Sequence, residues 1–122
     1  MHSRFSKNIA QFVESELLQS SHAKASGNIA SEFQHLENAH VLGQESTYWH
    51  VKVHVLMLLW AVRNSRPKEM TGQVFRIMGA VTMTAFGMIP QGNTGGANVS
   101  PFKVMPIQPH HQVIIDTAKD YR

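Results

Sequence analysis

The chain contains no cysteine. Disulfides, thiolate metal sites, iron–sulfur clusters and a cysteine nucleophile are therefore excluded. Charge is sparse as well. Only 16% of the 122 residues are Asp, Glu, Lys or Arg, and 11 basic against 8 acidic side chains leave a net charge of +3. The basic residues are scattered, with only Arg63, Arg66 and Lys68 close together. The stripe of a dedicated nucleic-acid binder is missing, so no nucleic-acid partner is expected. Long apolar runs are missing too. Val53–Val62 is apolar apart from His54, but it has about half the length a bilayer span requires. Thr71–Ile89 is longer, yet Arg76, three glycines and several hydroxyl or amide side chains interrupt it. Arg4, Lys7, Glu14 and Glu16 leave no room for a signal-peptide core near the start. The expectation is a cytoplasmic protein without a membrane partner.

Proline is nearly absent before residue 90, where Pro67 stands alone, and then Pro90, Pro101, Pro106 and Pro109 follow. The first part of the chain is correspondingly free to be helical. Phe5, Ile9, Phe12, Val13 and Leu17 recur three and four apart, which predicts a helix over residues 3–20. Gly27 suits a C-terminal cap, and Asn28 is a natural N-cap for a second helix over 28–42 that carries Ile29, Phe33, Leu36 and Ala39. Ser46 or Thr47 caps a third helix over 47–64, apolar on nearly every side and so expected at the centre. Pro67 opens a fourth, over 67–88. Beyond it the Gly-, Asn- and Pro-rich stretch 90–122 is expected to run as an extended strap, with a short helical turn near Val113–Lys119. The fold class is thus all-α. One domain over 1–122 is expected, a compact bundle of about four helices whose Gly27–Gly43 segment resembles one tetratricopeptide hairpin.

What the chain has in surplus is imidazole: eight histidines. Imidazole supplies neutral nitrogen ligands and titrates near pH 6.5. Glu37-x-x-His40 is followed by His50-x-x-x-His54, and residues three or four apart share one helix face. A short turn joins the two helices, so they should run antiparallel and bring together positions whose numbers have a constant sum. His40 with His50 sums to 90 and Glu37 with His54 to 91, which predicts convergence of all four side chains. Three imidazoles and a carboxylate suit one divalent transition-metal ion: zinc, iron, manganese or nickel. No nucleotide or organic cofactor is implied. His35 projects away from this set, and adjacent His110 and His111 diverge.

A second constellation is Gly92-Asn-Thr-Gly-Gly-Ala-Asn-Val-Ser100. Asn93, Thr94, Gly95, Gly96 and Asn98 are candidates either to line the metal site or to aim backbone N–H groups at an anion. It is no P-loop, because no strand precedes it and no Lys-Ser or Lys-Thr follows. Gly95 and Gly96 are expected to take backbone angles closed to other residues.

Taken together, Phe33-x-x-Leu36-Glu37-x-Ala39-His40-Val41-Leu42-Gly43-Gln44, His50-Val51-x-Val53-His54-x-x-Met57-Leu58, the Gly/Asn segment and Met105-Pro106-Ile107 resemble a family of short bacterial proteins known only as a domain of unknown function. The resemblance implies that the histidines and the Gly/Asn segment belong to one design. It brings no activity, substrate or cofactor.

The leading reading is a small metal-binding protein with Glu37, His40, His50 and His54 as ligands. Its competitor is a non-catalytic helical module whose tetratricopeptide-like hairpin binds a protein or peptide, with the same cluster purely structural. The partner expected, where there is one, is a protein or a second copy in a homodimer. A weaker third reading makes Glu37 the general base of an enzyme with metal-bound water.

Overall fold

The computed structural model describes residues 4–85, 92–100 and 103–120. Among these are five helices and no strand: α1 (Arg4–Ala25), α2 (Ile29–Gly43), α3 (Thr47–Arg63), α4 (Pro67–Ala85) and α5 (Pro109–Asp120). Ser3, the expected helical residues 86–88, Pro90, Pro101 and the last two residues lie outside the described residues. α1 packs on α2 and α3 on α4, α2 joins the two hairpins through α3, and α5 lies on α1 and α2. The core between them is built from Ile9, Val13, Leu36, Leu42, Val53, Met57 and Ile115.

Local chemistry explains most boundaries. α1 runs past residue 20 because Ser20 and Ala23 continue the buried stripe with small side chains, and the Ser20 hydroxyl donates to the Glu32 carbonyl at 3.0 Å. The helix then ends in a Schellman motif. Gly27, at φ +76°, sends its N–H to the Lys24 carbonyl while the Asn28 N–H reaches Ala23. The Asn28 side chain in turn caps α2, accepting from the Ser31 N–H at 3.0 Å. At the next turn Ser46 caps α3 through the Trp49 N–H, and Trp49 donates its indole N–H to the Ser6 carbonyl at 3.0 Å. A Cβ on Gly43 would stand 2.7 Å from that of Trp49, so glycine permits the close approach of α3.

Two expectations are corrected. The tail is not extended to residue 122: Pro109 opens a 12-residue helix. Proline breaks a helix from within but is favoured at its first position, where no N–H is needed. His111, Ile115 and Ala118, spaced four and three apart, are the buried residues of α5. Asn8 donates to the Ala118 carbonyl, and Lys119 pairs with Glu45 at 2.8 Å. The second correction concerns α3. One face is buried as expected, but Val55, Leu59 and Val62 are exposed, so an all-round apolar helix sits at the side of the bundle.

Candidate metal centre

Three of the four candidate ligands are brought together. His40 comes from the last turn of α2, His50 and His54 from the first half of α3, and all three are buried. One ring nitrogen from each lies within 4.8 Å of the others. The ring centroids are 4.8 Å apart for His40 and His50, 4.6 Å for His40 and His54, and 4.9 Å for His50 and His54. His40 is seated between two histidines one turn apart on α3, as the arithmetic expects for His50, but it is His40 and not Glu37 that meets His54.

The hydrogen bonds fix how two of these rings are used. His40 Nδ1–H donates to the Asn93 carbonyl at 2.6 Å, and His54 Nδ1–H donates to Gln73 Oε1 at 2.6 Å. The Gln73 amide is oriented by its other atom. Its Nε2 donates to the Gly95 carbonyl at 2.9 Å and to Glu69 Oε2 at 2.6 Å. Each ring thus carries its proton on Nδ1 and presents a bare Nε2, and the two Nε2 atoms face each other at 3.1 Å. All three imidazoles are held neutral. Burial first, then the neighbouring His54, pushes His50 down to about 3. Burial pushes His54 down to about 4, against the Gln73 hydrogen bond and with help from Arg76. His40 is driven well below the ordinary imidazole range by burial and by its two histidine neighbours.

Glu37, the fourth candidate, is not part of this grouping, which among the described residues holds the three histidines and no carboxylate. Glu37 is half-buried; burial and then the Glu69 carboxylate raise its carboxyl above the usual range, while a hydrogen bond with the Thr94 side chain opposes the rise. Position 37 lies one helical turn before His40, so it shares the face but looks out beside the Gly/Asn loop. His35 stands apart, as expected, paired with Glu16 at 2.8 Å.

The loop lines the histidines. Asn93 supplies the carbonyl for His40, and its own side chain ties the loop together by donating to the Ser100 and Lys103 carbonyls at 2.8 Å each. Gly95, at φ +85°, lies against the His40 ring, where a Cβ would come within 2.5 Å of Cδ2. Gly92 is the second left-handed glycine of the loop, at φ +78°. Gly96 is not, contrary to expectation; a Cβ there would meet the Asn98 side-chain oxygen at 2.7 Å. Three amides of the loop are engaged inside the protein. Gly95 N–H donates to Asn93 Oδ1, Ala97 N–H to Glu69 Oε2 and Val99 N–H to the Gly96 carbonyl.

Gln73 and Glu69 were not legible as site residues. A glutamine inside an amphipathic helix reads as surface, yet Gln73 is 0% exposed and links α4, the loop and His54. The only signal was the i, i+4 spacing of Glu69 and Gln73, which puts them on one helix face.

The fold and site define an all-helical protein with a buried three-histidine cluster roofed by a Gly/Asn loop. The chain belongs to the family described as protein of unknown function (DUF3703), whose model matches residues 7–115. No match was found among curated proteins or among solved structures. No helix among the described residues is long and apolar enough to cross a membrane.

Proposed function

We propose that the protein binds one transition-metal ion through Nε2 of His40 and His54 and a ring nitrogen of His50. The observation that carries this reading is the pair of bare Nε2 atoms at 3.1 Å. Two lone pairs at that separation repel unless a cation lies between them. A proton in that place would make one ring an imidazolium, which burial strongly disfavours. A metal ion takes both lone pairs, and tetrahedral ligation at about 2.0–2.1 Å places ligand nitrogens about 3.3 Å apart. The outer hydrogen bonds support the same reading, because a metal-bound histidine typically gives its other N–H to a carbonyl or carboxylate. The Asn93 carbonyl does this for His40; Gln73, itself held by Glu69, does it for His54.

A donor set of neutral imidazoles without a carboxylate favours zinc, nickel or iron over manganese, which prefers oxygen. Glu37 and Glu69 lie outside the three-histidine grouping. Elemental analysis of tag-free protein, together with the visible spectrum of the cobalt(II)-loaded form, tests the reading. One ion per chain and a nitrogen-ligated cobalt spectrum lost in His54→Ala are expected. A metal-free protein that also fails to take up cobalt contradicts it.

A further inference from the structure

α3 and α4 pack as an antiparallel hairpin whose outer side is apolar. On α3, Val55, Leu59 and Val62 face outward; on α4, Val74, Phe75, Met78 and Val81 do, with Phe75 at 68% and Met78 at 66% exposure. The spacings four and three on α3, and one, three and three on α4, make each set a stripe along its helix. The polar groups in the α4 stripe are already satisfied. Thr71 donates its hydroxyl to the Pro67 carbonyl and Thr82 to the Gly79 carbonyl, both at 3.1 Å. Arg76, the one charge in this part of α4, is turned the other way onto the Val99 and Gly72 carbonyls.

A large apolar side chain carries on the order of 150–200 Å² of surface. At the observed exposures the seven leave on the order of 600 Å² uncovered. That is at the upper end of what monomers expose, about 300–600 Å². It approaches the roughly 800 Å² that each partner contributes to a stable interface. We propose that a second copy of this chain covers the face, its α4 lying antiparallel on α4 about a two-fold axis at Met78. Self-pairing fits for two reasons. An uncharged stripe brings no like charges together when it meets itself. And residues equidistant from Met78 then oppose each other, so Phe75 lies on Val81 of the partner subunit, large against small, in an isologous contact. The histidines are buried away from this outer surface, so pairing and metal loading are separable.

Sedimentation equilibrium of the tag-free chain, with and without chelator, tests the pairing. A species of twice the 13.7 kDa chain mass is expected in both conditions. Phe75→Glu and Met78→Glu are each expected to give monomers with an unchanged helical spectrum, and Met78→Leu to keep the dimer. The chain lacks cysteine, so Met78→Cys should form a disulfide-linked dimer under an organic oxidant such as diamide. Val113→Cys, on exposed α5 surface, should not. A wild-type chain that stays monomeric overturns the proposal, as does a dimer that survives both glutamate substitutions. A monomer that instead co-sediments with phosphatidylcholine vesicles overturns it in favour of a lipid surface. A dimer broken by Met78→Glu but never cross-linked through Met78→Cys overturns the axis at Met78.

Discussion

Gly95 rests so closely on the imidazole of His40 that a Cβ at position 95 would lie 2.5 Å from Cδ2 and 2.8 Å from Nε2. The same glycine sits at φ +85° and gives its carbonyl to Gln73. One residue therefore joins the loop, the histidine cluster and α4, and it tolerates no side chain.

Gly95→Ala should accordingly be far more damaging than Gly96→Ala. Positive φ alone costs on the order of 1–3 kcal/mol for a non-glycine residue, and the contact with His40 adds to it. At position 96 the φ is ordinary and the nearest obstacle is the movable end of Asn98. Thermal unfolding of the two variants checks this. Equal melting temperatures would show that the loop does not roof the cluster.

Gln73→Leu removes the acceptor for His54 Nδ1–H and the donor to the Gly95 carbonyl, leaving both buried groups unpaired. A buried unpaired polar group costs about 1–3 kcal/mol, so with two of them a loss of roughly 2–6 kcal/mol in urea unfolding is expected. Metal affinity should fall about 10–100-fold, the usual effect of removing an outer partner of a metal-bound histidine. Stability within experimental error of wild type would contradict the hydrogen-bond assignment.

The metal-free protein should lose stability as pH falls below about 6.5. In the unfolded chain histidine titrates near 6.5, whereas folded His50 and His54 titrate at about 3 and about 4, and His40 is lowered as well. Between those limits the unfolded state binds more protons, so stability declines with acidification until the folded rings also protonate. Three such groups give a limiting slope of about 4 kcal/mol per pH unit. Urea unfolding at a series of pH values, in chelator, measures it. A flat profile from pH 7 to pH 5 would contradict the buried, neutral state of the three rings.

Much of this was legible in the sequence, and the failures have physical reasons. Asn28, Ser46, Gly27 and Pro67 mark helix ends through chemistry confined to a few neighbouring residues, so they could be read directly. His40, His50 and His54 could be placed on facing surfaces because a short turn leaves an antiparallel hairpin little freedom. Glu37 carries the same spacing signal, but a face shared with His40 does not say which way a side chain one turn earlier will lean. Gln73 lies across the α3–α4 hairpin from His54, but the pattern of an amphipathic helix does not say that an amide on it turns inward to pair with a histidine. Pro109 was ambiguous on its own, since proline both interrupts helices and starts them; the buried residues His111, Ile115 and Ala118 decide it. The exposure of Val55, Leu59 and Val62 was hidden because hydrophobicity all round a helix shows a need for neighbours without showing whether one chain provides them.

The most direct measurement is a calorimetric zinc titration of tag-free, chelator-treated protein at neutral pH, run on wild type, His54→Ala, Glu37→Gln and His35→Ala. Wild type should bind one ion per chain. His54→Ala should lose at least 100-fold in affinity, while Glu37→Gln and His35→Ala, neither of them an Nδ1 hydrogen-bond partner of His40 or His54, should stay below the roughly 10–100-fold loss that removing such a partner brings. If wild type and His54→Ala titrate identically, the three histidines are not a metal centre.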